Sequence, residues 1–248
     1  MSSPADYMRK SGVILAAVTN IKDPENLNRL KCKPITADRD VAETDWCYCI
    51  SPMAGNQYGQ FFFPKVGDLV LLGYLGGDVH HPIVFGSYWA NDVKPPYTIQ
   101  NGKNNIRAIR TPAGVEIRME DTDKKETLTL TTPSGAVITV DDGEKTIAVR
   151  DKGSENHLTI SWEKGEITLS AKKKLTLSAG DTSLVLESSG TMKGKAAKEI
   201  SLSAADIAAK ANNSAEISGA TVDLKANGML SAKAAGNTVI KGAMVQIN

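Results

Sequence analysis

The stretch EITLSAKKKLTLSAGDTSLVLE, residues 166–187, repeats one short pattern three times. Side chains of a strand alternate between its two faces, so two apolar residues separated by one polar residue share a face. The pairs recur every eight or nine residues, at Ile167/Leu169, Leu175/Leu177 and Leu184/Leu186. That spacing predicts a regular winding of short strands, each with one apolar face, rather than a fold that returns on itself.

The same pattern fills residues 98–248. Trp162 is the only aromatic residue in these 151 residues. A region with so few aromatic side chains cannot fill an ordinary globular core. No proline follows Pro133, so ladder hydrogen bonding is never interrupted by a residue that lacks the amide donor. Further pairs are Leu128/Leu130, Ile138/Val140, Leu158/Ile160, Ile200/Leu202, Val222/Leu224 and Val245/Ile247. This composition predicts a fibrous β structure.

One such chain leaves its apolar face and its strand edges without cover. Three identical chains wound about one axis would place every apolar pair inside and give every edge a partner. The sequence therefore predicts a homotrimer. Within it, the alanine-rich segment 204–213 also fits a helix, because alanine is the best helix former. The β interpretation is favoured for two reasons. The spaced apolar pairs continue through this region, at Ile207/Ala209, Ala215/Ile217 and Val222/Leu224. Glycines also interrupt the segment that follows, at Gly219 and Gly228.

The first region has a different composition. Every tyrosine and phenylalanine precedes residue 98, and the change falls near Pro95 and Pro96. Turn residues separate five candidate strands, which predict a small antiparallel barrel, at 12–19, 30–35, 46–51, 68–74 and 83–89. The predicted organisation is all-β, with an N-terminal segment at 1–10, a barrel domain at 11–97 and a β-helical needle at 98–248.

The net charge and the absence of targeting signals reduce the number of possible functions. The 29 basic and 28 acidic residues give a formal charge of +1, which excludes a bulk attraction to nucleic acid or to an acidic membrane surface. No apolar run is long enough to span a bilayer, and the first twelve residues lack a signal-peptide core. We therefore expect a protein made in the cytoplasm that binds no nucleic acid.

Few residues suggest a metal or cofactor site. Cys32, Cys47 and Cys49 lack a fourth metal ligand, and an odd number of thiols argues against a disulfide framework. Buried core cysteines are the better interpretation. No cofactor is predicted.

Motifs in the first region resemble a known family, in matching order and spacing: GVI (12–14), DPENLNRLK (23–31), Trp46, SPMAG (51–55), PKVGDLVLL (64–72), GGD (76–78), PIVFGS (82–87) and PP (95–96). The family is that of the central spike proteins of contractile injection systems, which includes phage baseplate assembly protein V and the valine-glycine repeat spike proteins of type VI secretion. Asn28 stands where the family usually has glycine, and asparagine also tolerates a left-handed turn. The resemblance implies an oligonucleotide/oligosaccharide-binding-like (OB-like) barrel that serves as a structural collar.

The second region resembles the needle of that family, through TPAGVEI (111–117), EDT (120–122), TPSG (132–135) and DD (141–142). The resemblance implies an intertwined trimeric β-helix that punctures a membrane when a sheath contracts. It further implies docking to a baseplate hub protein at the N-terminal end, assembly into the baseplate of a virion or phage-tail-like particle, and delivery into the target cell envelope.

No catalytic residues are predicted. Some phage spikes carry a lysozyme domain between collar and needle, and this sequence has no room for one. Asp121, Asp123, Asp141 and Asp142 fit solvated turns, and the three histidines form no nucleophile arrangement. The lysines at 172–174, 193, 195 and 198 fit a solvated outer face in which Glu and Asp are interspersed.

The last strand is the candidate binding site. Short phage spikes can end in a histidine-rich tip that binds iron, whereas no histidine follows His157 here. We expect a blunt trimeric surface that docks a separate tip protein or effector with proline-alanine-alanine-arginine (PAAR) repeats. The predicted contact residues are Lys241, Gly242, Ala243, Met244, Val245, Gln246, Ile247 and Asn248.

Two other functions stay open at this point. A trimeric receptor-binding or adhesion fibre also uses a β-helical shaft, but it would be expected to end in an aromatic-rich head. A β-helical polysaccharide-degrading enzyme would need a catalytic cleft with aromatic sugar platforms, which a single tryptophan in the needle does not supply.

Overall fold

Five strands close into a barrel in the computed structural model, which describes residues 12–35 and 41–246. The bounds of the barrel strands are β1 Ile14–Asn20, β2 Lys31–Pro34, β3 Tyr48–Cys49, β6 Leu69–Tyr74 and β7 Pro82–Ser87, and β4 and β5 form a separate hairpin. The order of the barrel strands in the sheet is β2-β1-β6-β7-β3. An isolated antiparallel bridge between Leu30 and Cys47 joins the two edge strands, with backbone hydrogen bonds of 3.0 and 2.7 Å.

These strands confirm the five predicted from the sequence, with one correction. The β3 strand runs parallel to β7, so the barrel is not wholly antiparallel. The strand β6 lies between β3 and β7 in the chain and runs antiparallel to β7, so β3 and β7 point in the same direction. A small hairpin is inserted between β3 and β6. The hairpin consists of β4 Ala54–Gly55 and β5 Tyr58–Gly59.

Small and branched apolar side chains fill the barrel. They alternate along the strands and are fully or almost fully buried: Ala16, Val18, Leu30, Cys32, Cys47, Val70, Leu72 and Val84. The prediction that Cys32 and Cys47 are core residues is thus confirmed. Cys49 is half-buried beside them.

An aspartate organises the loop between β1 and β2. The Asp23 carboxylate accepts hydrogen bonds from the backbone amides of Glu25, Leu27 and Arg29, and from Arg29 Nε at 3.0 Å and Nη2 at 2.7 Å. Asn28 lies within this loop at φ +56°, the left-handed conformation predicted for it. The DPENLNR motif therefore encodes a closed loop around one buried carboxylate.

Seven further strands form an antiparallel meander in which each strand pairs with its neighbours along the chain. They are β8 Ile106–Arg110, β9 Glu116–Glu120, β10 Thr127–Thr131, β11 Val137–Asp141, β12 Thr146–Arg150, β13 His157–Ser161 and β14 Glu166–Ser170. Within one chain these strands return on themselves through tight turns, which differs from the one-way winding that the spacing predicted. The barrel and this sheet belong to one compact unit that ends at Lys172.

The two TPxG motifs form matching turns. The amide of Gly114 donates to Thr111 O and that of Gly135 donates to Thr132 O, both at 2.9 Å. Both glycines have φ near +90°, a conformation that strongly favours residues without a Cβ.

A second compact unit begins at Lys173 and contains β15 Lys174–Ala179, β16 Thr182–Glu187 and β17 Thr191–Lys195 in one antiparallel sheet. From residue 196 to residue 246 the described chain has neither helix nor strand. Strands were expected there at Ile200/Leu202, Ile207/Ala209 and Val222/Leu224. A strand needs a partner for its backbone groups, and the part of the single chain that the structure describes supplies none to these pairs.

Over residues 12–35 and 41–246, no helix is long and apolar enough to cross a membrane.

Candidate functional site

The seven-stranded sheet has one almost wholly apolar face. Residues directly opposite each other in an antiparallel register point to the same side, so the pairing fixes the members of each face. Thirteen of the fourteen positions on this face are apolar: Ile109, Ile117, Met119, Leu128, Leu130, Ile138, Val140, Ile147, Val149, Leu158, Ile160, Ile167 and Leu169. We call this set the apolar ladder.

Most of the apolar ladder is exposed in the single chain. Exposed fractions range up to 73% at Ile167, while Leu130, Leu158 and Ile160 are half-buried. Covering the exposed parts of these side chains would be worth on the order of 10 kcal/mol per chain before the costs of association. An uncovered apolar face of this length marks an interaction surface.

The opposite face of the same sheet is polar. It carries three residues per strand, and seventeen of the twenty-one are polar or charged. A central row of threonines runs along it, at Thr129, Thr139, Thr159 and Thr168. This face suits solvent, so the sheet has one side to bury and one side to expose.

Arg107 is the exception on the apolar face. It lies opposite Met119 in the strand nearest the barrel. Its guanidinium donates to Asn104 O at 2.9 Å and pairs with Asp121 Oδ2 at 2.8 Å. These partners keep the charge at the margin of the apolar ladder, and they show that Asp121 is a paired turn residue.

A tyrosine joins the linker to the sheet. Tyr97 Oη donates to Glu116 Oε1 at 2.6 Å, and Arg110 Nη1 lies 3.6 Å from the other oxygen of that carboxylate. Burial, and next the hydrogen bond to the Glu116 carboxylate, raises the pKa of Tyr97. The phenol therefore stays protonated and able to donate at neutral pH.

The second unit repeats the arrangement on a smaller scale. Its three strands place Leu175, Leu177, Leu184, Leu186 and Met192 on one face. Lys174, Glu187, Lys193 and Lys195 lie on the other. Three of the lysines predicted to be solvated, Lys174, Lys193 and Lys195, therefore share a face with acidic and hydroxyl side chains.

The predicted tip residues are exposed. Lys241, Gly242, Ala243, Met244, Val245 and Gln246 lie in the segment without helix or strand, and Met244 is 85% exposed. Ile247 and Asn248, the other two predicted contacts, lie outside the described residues. The tip residues belong to the second compact unit and the apolar ladder to the first.

The polar side chains considered as catalytic candidates lie in turns or at strand ends. Asp142 pairs with Lys145, and Asp141 accepts the backbone amide of Glu144. His80 Nδ1 lies 2.9 Å from Asp45 Oδ2, and that carboxylate raises the pKa of His80. Within the described ranges, no group of three or more histidine, cysteine or acidic side chains is placed to hold a metal ion.

The three thiols of the barrel differ in acidity: the pKa values of Cys32 and Cys49 are raised, whereas the hydrogen bond with Cys32 lowers the pKa of Cys47. The hydrogen bond with the Cys47 thiol, together with burial, raises the pKa of Cys32. Burial likewise raises the pKa of Cys49 to about 11. Thiols with raised pKa values are poor nucleophiles and poor metal ligands at neutral pH.

One exposed surface was not predicted from the sequence. The hairpin after β3 and the outer side of β3 display Tyr48, Ile50, Met53, Tyr58, Phe61 and Phe62. We call this set the aromatic hairpin surface. Its sequence signal was available: residues 46–64 contain no charged residue and no histidine.

Comparison with known proteins agrees with this architecture. Residues 14–89 match the family described as the type VI secretion system/phage-baseplate injector OB domain. The chain is 28% identical over 144 residues to the actin cross-linking toxin VgrG1 of Vibrio cholerae, an alignment that covers 54% of this chain and 13% of that protein. It is 29% identical over 101 residues to the type VI secretion system spike protein VgrG2a of Pseudomonas aeruginosa, covering 39% of this chain and 12% of that protein.

The similarity is confined to a small part of these relatives, at most 13% of their length. Within that part, the first domain is an OB domain of the injector type, and the chain resembles the spike proteins of type VI secretion systems and phage baseplates.

Proposed function

From the injector OB domain at residues 14–89, we propose that this chain is the structural central spike of a contractile injection particle, such as a phage tail or a phage-tail-like particle. The observation that carries the proposal is the apolar ladder. A barrel of the injector type is followed in the same compact unit by a sheet whose apolar side is mostly exposed among the described residues of one chain.

Three copies associated through the apolar ladder would form a three-sided prism. Each sheet would contribute one wall, with its apolar side inward and its threonine-rich side outward. Three-fold closure covers all three faces with identical contacts, as cyclic symmetry requires. The segment 196–246 would continue this needle with strands that pair between chains, which is the intertwined part of the predicted β-helix.

Such a needle would work mechanically. Sheets crosslinked by continuous backbone hydrogen bonds would resist bending, and the polar outer face would stay solvated. We propose that sheath contraction drives the needle through the target cell envelope, with the barrel domain held by a baseplate hub protein.

Sedimentation tests the trimer. Purified full-length chain should sediment at about three times its mass of 26.4 kDa at micromolar concentration. A stable folded monomer would contradict the proposal. In the source organism, deletion of the gene should abolish delivery by the particle, and electron microscopy of wild-type particles should locate the chain at the baseplate axis.

We further propose that residues 241–248 receive a PAAR-repeat tip protein. The support is chemical: Met244 and Val245 are exposed apolar side chains in a segment whose backbone is in neither helix nor strand. Met244→Asp should abolish capture of a PAAR-repeat protein from the same organism in pull-downs. Met229→Asp is the matched control, because Met229 is also 85% exposed and lies in the same coil segment. Equal capture by both variants would place the tip contact elsewhere.

A further inference from the structure

The aromatic hairpin surface is a second apolar region, separate from the apolar ladder. Phe61 and Phe62 are 73% and 70% exposed, and Tyr58 is 67% exposed. The Phe61 ring stacks on Phe63, with ring centroids 5.9 Å apart and ring planes 6° apart. Between β3 and the hairpin lies a cavity of about 620 Å³ whose lining includes Leu27 and Cys49. The surface thus offers exposed rings next to a hollow that can accept a side chain.

The chemistry of this surface is that of a protein–protein contact. Interfaces are depleted of charge at their centres and enriched in Tyr, Phe and Met. Residues 46–64 contain neither charge nor histidine in a chain that is 23% charged. Three of the four phenylalanines of the chain follow one another at 61–63. A surface that contacts only solvent would not have this uncharged, aromatic-rich composition.

The hairpin is also held in one conformation. Ser51 Oγ lies 2.9 Å from Met53 O and 2.8 Å from Gln60 O, while the amide of Gln60 donates to Met53 O at 2.9 Å. Gly59 has φ +146°, and a Cβ there would lie 2.5 Å from Met53 O. A surface fixed in this way loses little conformational entropy on binding.

We propose that the aromatic hairpin surface packs against the barrel of the neighbouring copy in the homotrimer. This inference rests on the proposed function, since it assumes three-fold association. The barrel and the seven-stranded sheet form one compact unit, so closing three sheets about an axis brings three barrels together about the same axis. Barrels gathered about one axis can contact their neighbours, and an uncharged surface can do so without repulsion between like charges.

Site-specific photo-crosslinking tests the contact. Full-length chain would carry p-benzoyl-phenylalanine in place of Phe62, and in a control in place of Leu75, which is exposed on the barrel outside the hairpin. We expect covalent dimers and trimers on denaturing gels from the position-62 protein and none from the position-75 protein. Mass spectrometry should place the crosslink between two barrels.

The outcomes separate this inference from the proposed function. Sedimentation of each protein before irradiation reports the trimer independently. A trimer without intermolecular crosslinks from position 62, or with equal crosslinks from both positions, overturns the inference and leaves the trimer intact. Crosslinks from position 62 only to another baseplate protein in whole particles also overturn it and assign the surface to the hub. If the unmodified chain does not form a trimer, both the proposed trimer and the contact inferred from it are refuted.

A charge substitution gives a second readout. Phe62→Glu should lower the temperature at which the trimer dissociates, because it places three carboxylates in the barrel contacts. Leu75→Glu adds the same charge elsewhere on the barrel and should leave the dissociation temperature unchanged. Equal behaviour of the two variants contradicts the contact.

Discussion

Ile160 of β13 lies directly opposite Ile167 of β14, so both side chains belong to the apolar ladder. Thr168, the next residue along, belongs to the polar face and lies opposite Thr159. One strand therefore provides adjacent positions with opposite environments in the proposed trimer.

This pair of positions tests which face is buried. Ile167→Asp should prevent trimer formation or lower its melting temperature strongly, because three carboxylates would be buried near the axis at a cost of several kcal/mol each. Thr168→Asp introduces the same group on the polar face and should change little. Sedimentation and thermal melting of both variants measure the difference. An Ile167→Asp trimer with unchanged melting would show that the apolar ladder is not the interface.

The carboxylate of Asp23 should make the barrel sensitive to acid. Its hydrogen bond with Arg29, above all, holds its pKa well below the usual range. A group with a lowered pKa in the folded state stabilises the fold above its unfolded-state pKa, and this contribution is lost as the pH falls toward the folded-state value. Asp23→Asn should therefore lower the free energy of unfolding at pH 7, and the gap to wild type should narrow below about pH 4. Glu25→Gln is the control, because Glu25 contacts the same Arg29 but is mostly exposed. Denaturant titrations between pH 2 and pH 7 would measure this, and a gap independent of pH would contradict it.

The amino-acid pattern identified several features because they depend on local rules. Leu128/Leu130 and Ile138/Val140 share a face as predicted, since alternation is a property of any strand. The barrel strands were located from turn residues and apolar runs. The parallel pairing of β3 with β7 was missed because it depends on where the chain goes after β3, which no local pattern records.

The aromatic hairpin surface was missed for another physical reason. Three of its four rings, Tyr58, Phe61 and Phe62, occur within five residues of each other, and a cluster such as Phe61-Phe62-Phe63 normally indicates a core strand. The tight β4–β5 hairpin turns Phe61 and Phe62 outward instead, while Phe63 packs against the core. Only the absence of charge over residues 46–64 distinguishes this surface from a core segment in the sequence.

The TPxG turn at residues 132–135 should be intolerant of a side chain at its glycine. Gly135 has φ +89°, and an added Cβ would lie 2.9 Å from Lys152 Cβ. Gly135→Ala should therefore lower the free energy of unfolding by about 1–2 kcal/mol. Gly194→Ala is the control, because Gly194 lies in β17 with open space around its Cβ position. Chemical denaturation would compare the free energies of unfolding of the two variants. An equal loss in both would show that the conformation of the turn is not the cause of the destabilisation.

Hydrogen exchange can decide how residues 196–246 behave in the assembly. In one chain this segment has neither helix nor strand, whereas the β10–β11 pair has a complete ladder within the chain. If strands of neighbouring chains pair over 196–246, the amides of Ile200, Leu202, Val222 and Leu224 should exchange slowly in the wild-type trimer. In the Ile167→Asp variant, loss of the trimer should make them exchange rapidly, while the β10–β11 amides keep part of their protection. Mass spectrometry of exchanged peptides resolves both regions. Rapid exchange over 196–246 in an intact trimer would show that this part of the needle does not pair between chains, and that the spaced apolar pairs there do not form strands.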